Sequence, residues 1–219
     1  MIYVNGRFLL QSLTGVNRFA YELCRAWVQM GIPFILCCPS GSIKGCYDVS
    51  HFNIVVYGWG KSHVWEQLLL PLWFSRIKGE KVLVCFTGLG PLLIRKKIMT
   101  IHDLAFMANP DWYSRSYRLW YRLMTPLCVA TSMKILTVSE FSKSEIVRRL
   151  SIDDRKISVI YNAVSSLFCV SDSSHRNARE VTGEKYILAV SSIDPRKNFS
   201  MLLKAFAQMD DKNIKLYIV

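Results

Sequence analysis

The sequence predicts a doubly wound α/β fold, in which helices cover both faces of a largely parallel sheet. Short apolar, β-prone runs alternate along the chain with segments whose apolar residues recur at helical spacing. Of the 219 residues 51% are hydrophobic, which is enough to form a substantial core. We therefore expect a folded α/β protein rather than a disordered chain.

Seven short apolar runs are expected to form the strands of a first domain, namely residues 2–4, 34–38, 53–57, 82–86, 98–102, 134–138 and 157–161. Helical patterns fill the intervals between them at residues 16–27, 62–77, 113–130 and 142–150. Thr14 is a suitable N-cap for the first of these helices. Ser142 and Glu145 have the spacing of a capping box at the start of the last one.

The composition changes after residue 164, which indicates a domain boundary. We predict a first domain at residues 1–164, a polar, serine-rich linker at 165–184 and the start of a second domain at 185–219. The last segment has room for one strand–helix–strand unit, which is too small to build a core of its own. We therefore expect the sequence to be truncated within the second domain.

The net charge of +12, from 28 Lys and Arg against 16 Asp and Glu, predicts an anionic partner. Membrane phospholipid, a phosphorylated substrate and nucleic acid all fit this charge. Nucleic-acid binding also needs a recognisable reader module, and the sequence contains none, so we do not expect nucleic acid as a partner. Aromatic and arginine residues are mixed at 113–124, which suits either a lipid headgroup boundary or an ordinary, partly exposed helix.

The cysteines and the apolar runs bear on the compartment. Seven cysteines without a C-x-x-C pair favour buried, reduced thiols in a cytosolic protein. The sequence has no recognisable signal peptide and no apolar run of membrane-spanning length. We also find no cluster of metal-ligand residues. These patterns predict a cytoplasmic protein that needs no metal.

A strand, a turn and a helix within residues 186–206 form a candidate phosphate site. Residues 186–190 are expected to form a buried strand, and 199–206 have apolar residues at helical spacing. Free N–H groups at the N-terminus of such a helix favour a phosphate. Arg196 and Lys197 lie in the turn, where a bound anion would offset their charge. The alternative is that both are solvated surface charges.

His102 and Asp103 follow a predicted strand, at the edge where open α/β sheets bind ligands. A histidine there can donate a hydrogen bond to a sugar hydroxyl or a phosphate oxygen, and a carboxylate can orient the ring. The alternative is that the two residues form a merely structural pair.

Several of these segments resemble glycosyltransferase family 4, whose members have the GT-B fold of two Rossmann-like domains and use nucleotide sugars. The segment V-S-S-I-D-P-R-K-N-F is similar to the start of the family's second domain, where basic residues bind the nucleotide diphosphate. The resemblance therefore implies substrate binding by Arg196 and Lys197. The segment I-H-D-L is similar to one that carries a histidine at the donor-sugar pocket, which implies catalytic roles for His102 and Asp103.

Two segments near the N-terminus also resemble the family. T-G-V-N-R-F-A-Y-E-L is similar to its first loop and helix, which implies substrate binding by Gly15 and Arg18. W-E-Q-L-L-L-P, residues 65–71, is similar to another family segment but indicates the packing of a helix rather than chemistry.

The resemblance implies a retaining glycosyltransferase with an acceptor-side first domain. Its substrates would be a nucleotide sugar, such as GDP-mannose, and a lipid-linked or polysaccharide acceptor of surface polysaccharide, lipopolysaccharide or O-antigen synthesis. It would need no cofactor or metal and would bind peripherally to the anionic inner face of the cell membrane. The family's E-x7-E motif would lie beyond Val219, so we expect this truncated form to be inactive.

Two other interpretations stay open. The chain could be a non-catalytic remnant that at most binds acceptor or membrane. It could also belong to another GT-B enzyme, such as a sugar-nucleotide epimerase.

Overall fold

The computed structural model describes residues 1–60, 63–164, 185–211 and 213–219. Their contacts divide the chain into two compact units, Met1–Asn162 and Ala163–Val219. The predicted linker at 165–184 lies outside the described residues.

The described part of the first unit contains a seven-stranded, wholly parallel sheet in the order β3-β2-β1-β4-β5-β6-β7. Its strands are β1 (Ile2–Asn5), β2 (Phe34–Cys38), β3 (Ile54–Val56), β4 (Val82–Cys85), β5 (Lys97–Thr100), β6 (Lys134–Thr137) and β7 (Ile157–Val159). The chain runs outward from β1 to β3 and then returns to place β4 on the other side of β1. This reversal creates a topological switch point between β1 and β4, where such sheets bind ligands.

The helices of this unit connect consecutive strands, as a parallel sheet requires. They are α1 (Gly15–Gln29), α2 (Leu70–Arg76), α3 (Ala105–Ala108), α4 (Arg115–Thr131) and α5 (Glu140–Leu150). Short 3₁₀ turns lie at Gly6–Leu10, Pro110–Trp112 and Asp154–Lys156. The predicted doubly wound α/β fold is therefore confirmed.

Alternate residues of each strand pack into two separate hydrophobic cores, because successive side chains point to opposite faces of a sheet. Tyr3 and Leu83 contribute to the core beneath α2, α4 and α5. Val4 and Val84 contribute to the core beneath α1. Because both faces are covered, the central strands β1 and β4 are mainly apolar, which explains their hydrophobic runs.

The predicted capping box at Ser142 is wrong. Helix α5 begins at Glu140, and its N-cap is Ser139, three residues before Ser142; the Ser139 side-chain oxygen accepts the Ser142 N–H at 3.0 Å. The Ser142 hydroxyl instead donates to the backbone carbonyl of His102 at 3.0 Å and so fastens the loop after β5. Glu145 pairs with Arg149 along the same helix.

The helix expected at 62–77 contains an irregular turn. Residues Trp65–Leu69 form a π-helix, in which the Leu70 N–H donates to the Trp65 carbonyl five residues back. Pro71 lacks the N–H that would bond to the Gln67 carbonyl in a regular α-helix, and the ladder widens just before it.

The second unit contains β8 (Lys185–Ala189), a 3₁₀ turn at Pro195–Lys197, α6 (Phe199–Ala207) and β9 (Ile214–Ile218). The two strands are parallel, so the predicted strand–turn–helix–strand unit is confirmed. The expectation that the first strand is buried is wrong, since Leu188 is 52% and Val190 71% exposed. One helix can cover only one face of a two-stranded sheet.

Candidate functional site

A crevice of about 380 Å³ lies at the topological switch point of the first unit. Its walls come from the end of β1, the loop after β4, the start of α1 and the middle of α4. The residues that line it are Arg7, Gln11, Ser12, Thr14, Val16, Asn17, Thr87, Gly88 and Tyr121. Most of these side chains offer hydrogen-bond donors or acceptors, as a site for a polar ligand requires.

A buried ion pair forms the floor of this crevice. Arg7 follows β1 in a 3₁₀ turn, and its Nη2 lies 3.5 Å from Oε2 of the fully buried Glu66. Asn5 Nδ2 donates to the other carboxylate oxygen, Oε1, at 2.7 Å. His63 Nδ1 also lies 3.5 Å from Glu66 Oε2, and neither of these two atoms makes a hydrogen bond within the described part of the chain. Glu66 thus joins residues from two distant parts of the sequence.

Gly88 lets the backbone pass close to this pair. Its φ of +71° lies in the left-handed region, and a Cβ there would lie 3.1 Å from Arg7 Nη2 and 3.2 Å from Glu66 Oε1. A side chain at this position would therefore strain the backbone and press on the ion pair.

His102 lies beyond the end of β5, with its ring held by Phe86 and Phe19. Nε2 is 3.0 Å from the Phe86 backbone carbonyl, and the Phe19 ring packs edge-on at 5.0 Å between centroids. A carbonyl oxygen only accepts, so Nε2 carries the proton. Burial lowers the pKa of His102 below its usual value, although the bond to Phe86 opposes this shift. At neutral pH the ring is neutral, and Nδ1 is left as an acceptor.

This geometry corrects the expected role of His102. A neutral imidazole has one N–H group, and the Phe86 carbonyl takes it. The ring can therefore accept a hydrogen bond from a sugar hydroxyl through Nδ1, but it cannot donate one to a phosphate without losing the bond to Phe86.

Asp103 does not orient the histidine ring as predicted. Its Oδ1 accepts the N–H of Ala105 at 2.9 Å, at the start of α3. Burial and the neighbouring tyrosines raise the pKa of the Tyr117 phenol, and the negative charge of Asp103 adds a smaller contribution in the same direction. Asp103 is exposed, so it remains available for a ligand hydroxyl.

Gly15 and Arg18 lie in the first turn of α1, whose N-cap is Thr14 as predicted. The Thr14 side-chain oxygen accepts the Asn17 N–H at 3.3 Å. Space is open where a Cβ of Gly15 would lie, so a ligand could approach its backbone. Arg18 lies 3.7 Å from Glu22 on the same helix and does not line the crevice.

Three stacked tyrosines lead away from the crevice, two on one face of α4 and the third, Tyr113, just before the N-terminus of that helix. The centroids of Tyr113 and Tyr117 are 5.2 Å apart, and those of Tyr117 and Tyr121 are 4.2 Å apart. Phe106 packs against Tyr121 at 5.6 Å. This ladder fixes the Tyr121 ring at the crevice wall.

A second cavity of the first unit, of about 640 Å³, has a basic and partly apolar lining. It contains Arg115, Arg118, Arg122 and Arg149, together with Leu119. Arg118 lies 3.7 Å from Asp111, and Arg149 lies 2.7 Å from Glu145. We call this cavity the basic groove. It corresponds to the mixed aromatic and arginine segment found in the sequence.

In the turn of the second unit, more of the polar groups are hydrogen-bonded to one another than predicted. Asp194 Oδ1 accepts the backbone N–H of Arg196 at 2.9 Å and its Nε at 3.0 Å, and these bonds lower the pKa of Asp194. Asn198, with a φ of +50°, caps α6 through the N–H of Met201. Lys197 is exposed beside them. A phosphate here would be bound mainly by the two side-chain cations, since several of the expected N–H donors are occupied.

Sequence reasoning missed the buried ion pair. Arg7 was not singled out, and the segment that contains Glu66 was assigned to packing alone. Its neighbours do pack, since Trp65 is fully buried and Gln67 donates to the Gly90 carbonyl at 2.9 Å. The available signal is a charged residue two positions after the first strand and another within an apolar helix.

In the described part of the chain, no group of three or more His, Cys, Asp or Glu side chains could hold a metal ion. None of its helices is long and apolar enough to cross a membrane. The free cysteines of that part include five buried ones and the exposed Cys46.

Comparisons with known proteins identify relatives of this chain. Residues 13–166 match the model of Glycosyltransferase Family 4. The O-antigen chain mannosyltransferase RfbU of Salmonella typhimurium strain LT2 is 32% identical over 126 residues, which are 58% of this chain and 33% of that protein. The O-antigen chain mannosyltransferase B of Escherichia coli is 26% identical over 125 residues, 53% of this chain and 32% of that protein. The chain thus matches about a third of the length of these curated relatives.

A solved structure matches over a longer span. The crystal structure of WaaG, a glycosyltransferase involved in lipopolysaccharide biosynthesis, aligns with all of this chain and 63% of its own, with a TM-score of 0.68. The sequence identity is 12%, so this likeness concerns the fold.

Proposed function

This chain belongs to glycosyltransferase family 4, as its motifs predicted, and on that premise we propose that it transfers a hexose from a nucleotide sugar to a lipid-linked or polysaccharide acceptor. The observation that carries the proposal is a polar crevice at the switch point, lined by Thr87, together with His102, which is hydrogen-bonded to the carbonyl of Phe86, the residue before Thr87. The names of the two mannosyltransferase relatives support mannose as the sugar and O-antigen or other lipopolysaccharide as the product class.

The proposed chemistry is displacement of a nucleotide diphosphate, which leaves with growing negative charge. Arg196 and Lys197 would stabilise that charge, in the place that a metal ion takes in other enzymes, so the reaction would need no metal. The support is their position: both cations lie in the turn between a parallel strand and the helix that follows it.

His102 and Asp103 would act on the sugar rather than on the phosphates. The free Nδ1 of the histidine is suited to accept a hydroxyl proton of the donor sugar, and Asp103 could accept a second hydroxyl. Fixed acceptors of this kind hold a sugar in one orientation. We propose that the transfer retains the configuration of the sugar, as the family resemblance implies. Gly15 and Arg18 would contact the substrate at the start of α1.

The basic groove would face the anionic surface of the membrane from the cytoplasmic side. Arg115 and Arg122 have no carboxylate within salt-bridge distance among the described residues, and Leu119 beside them is 72% exposed. Cations around exposed apolar side chains suit lipid headgroups. A peripheral position would bring a lipid-linked acceptor to the enzyme.

Vesicle sedimentation tests the membrane part. The double variant Arg115→Gln/Arg122→Gln should bind phosphatidylglycerol vesicles at least tenfold more weakly, since each cation near such a surface contributes about 1 kcal/mol. The exposed control pair Arg25→Gln/Arg155→Gln removes the same charge elsewhere. The proposed role of the basic groove is wrong if the two double variants lose the same vesicle affinity, or if the wild type binds neutral phosphatidylcholine vesicles equally well.

A transfer assay tests the enzymatic part on the protein that the complete open reading frame encodes, whether or not it continues past Val219. Purified protein is mixed with membrane extract and radiolabelled GDP-mannose, UDP-glucose or UDP-galactose. We expect labelled glycolipid from one donor, and a loss of at least a hundredfold in His102→Ala. Absence of transfer from every donor would support a non-catalytic binding domain instead.

A further inference from the structure

The ion pair beneath the crevice does not serve stability well. Glu66 is fully buried, its Oε2 makes no hydrogen bond within the described chain, and Arg7 Nη2 and His63 Nδ1 each lie 3.5 Å from that oxygen. Replacing such loosely paired buried charges with apolar residues is often neutral or stabilising. A buried polar atom that lacks a partner calls for another explanation, and its position at the switch point suggests a functional one.

The pair does fix the position of Arg7. Glu66 anchors the guanidinium, and Asn5 fixes the carboxylate from the other side at 2.7 Å. Gly88 leaves space for both groups. The Arg7 side chain is only 9% exposed, yet it lines the crevice, so its remaining N–H groups are presented to a ligand in one orientation.

The charge of the crevice decides which ligand fits. Glu66 neutralises Arg7, and among the residues that the structure describes the crevice lining contains no carboxylate and no other cation. Its other polar side chains are uncharged, namely Gln11, Ser12, Thr14, Asn17, Thr87 and Tyr121. An anion would gain little here, whereas a neutral, hydroxyl-rich ring would find donors and acceptors on several sides. The basic groove is the opposite case.

We propose that this crevice binds a neutral sugar ring of the acceptor, with Arg7 in contact with its hydroxyl groups and Glu66 as the positioning residue that holds Arg7. The choice of the acceptor's sugar rests on the proposed function. Asn5 completes the arrangement by holding Glu66.

Titration with methyl hexosides tests this inference without any donor. Methyl α-mannoside, α-glucoside and α-galactoside are followed by saturation-transfer NMR, and pyrophosphate by calorimetry. The wild type should bind at least one hexoside in the millimolar range. Arg7→Lys keeps the charge beside Glu66 but loses the planar fork, so it should bind that sugar at least fivefold more weakly.

Glu66→Gln gives the sharper result, because it keeps the shape and the acceptor for Asn5 but removes the negative charge. Sugar binding should fall at least fivefold, and pyrophosphate binding should become at least fivefold tighter, since Arg7 is then no longer neutralised. Anion sites elsewhere are common to both proteins, so the difference between the two titrations reports on the crevice. A merely structural Glu66 would not reverse the ligand preference.

Arg155→Lys and Glu80→Gln, at exposed positions, are the matched controls and should behave as the wild type. The inference is wrong if no hexoside binds the wild type, or if Glu66→Gln leaves both affinities unchanged. Its failure can be told apart from failure of the proposed function. Sugar binding without transfer contradicts only the proposed transferase activity, whereas transfer that is insensitive to Arg7→Lys contradicts only the proposed binding of the acceptor sugar in the crevice.

Discussion

Each unit of this chain places an arginine after a parallel strand, but the two arginines are held in different ways. Arg7 is buried and paired with Glu66, 59 positions further along the chain. Arg196 pairs with Asp194, only two positions away, and both side chains are 34% exposed. The first pair depends on the folded sheet, whereas a short loop forms the second. Variants of the two pairs should therefore behave differently.

The largest difference is expected in stability. Arg7→Met leaves Glu66 as an unpaired, buried carboxylate and should lower the free energy of unfolding by about 3–5 kcal/mol. Arg196→Met breaks an exposed pair and should cost no more than about 1 kcal/mol. Urea unfolding checks both, because all six tryptophans lie in residues 1–162 and their fluorescence follows the first unit, while circular dichroism follows the whole chain.

The double variant Arg7→Met/Glu66→Leu is the control for this prediction. It removes both charges and should recover at least half of the lost stability. If the double variant is as unstable as Arg7→Met, the cost arises from packing rather than from the unpaired charge.

For binding of a nucleotide diphosphate, the basic residues of the second unit should matter more than Arg7 of the first unit. Lys197→Ala and Arg196→Ala should each weaken GDP binding by roughly ten- to a hundredfold, because a charge-assisted hydrogen bond contributes about 1.5–3 kcal/mol. Arg7→Lys should leave GDP binding unchanged. Calorimetry on the three variants measures this, and wild-type affinity in Lys197→Ala would mean that the turn carries only surface charge.

Gly88→Ala tests how tightly the first pair is enclosed. A non-glycine residue in the left-handed region costs roughly 1–2 kcal/mol, and the added Cβ would also press on Arg7 and Glu66. Gly45→Ala, with open space around it, should stay within about 0.5 kcal/mol of the wild type. Thermal unfolding compares the two, and similar melting temperatures would contradict the close contact.

The smallest effect is expected from pH, and the two units should respond in different ranges. The pKa of His102 is lowered by burial, so the folded first unit binds its proton less readily than the unfolded chain. Its stability should fall as the pH drops below about 6.5 and level off below the folded pKa. The pKa of Asp194 is lowered by Arg196, so its contribution is lost only as the pH falls below about 3.9.

Tryptophan fluorescence between pH 7.5 and 5 measures the first of these effects. His102→Gln should flatten the dependence of the unfolding midpoint on pH in that range. An unchanged slope in this variant would show that another group titrates there.

Local patterns predicted the features that neighbouring residues determine. Strand β2 has the predicted bounds, Phe34–Cys38, and Thr14 caps α1 as expected. The parallel order followed from alternating strands and helices. The turn at Arg196 could likewise be located from its own segment, since its partners Asp194 and Asn198 lie within four residues of Lys197.

The contacts that cross the fold could not be predicted in this way. Asn5 and Glu66 are 61 positions apart, and no periodicity of either segment reports their hydrogen bond. The role of His102 depends on the Phe86 carbonyl, which carries no side-chain signal. Whether β8 is buried or exposed depends on which elements cover the sheet, and an apolar strand sequence does not distinguish the two cases.

The π-helical turn at Trp65–Leu69 makes the position of Glu66 depend on the number of residues before Pro71. Each residue of a regular α-helix turns the chain by about 100°. Deleting the exposed Leu68 would let this segment wind as an ordinary helix, and Trp65 and Glu66 would rotate by that angle relative to α2. The buried carboxylate would then leave Arg7, although every residue of the pair would still be present. The site is thus specified by chain length as well as by composition, and a one-residue deletion here would be more damaging than most substitutions.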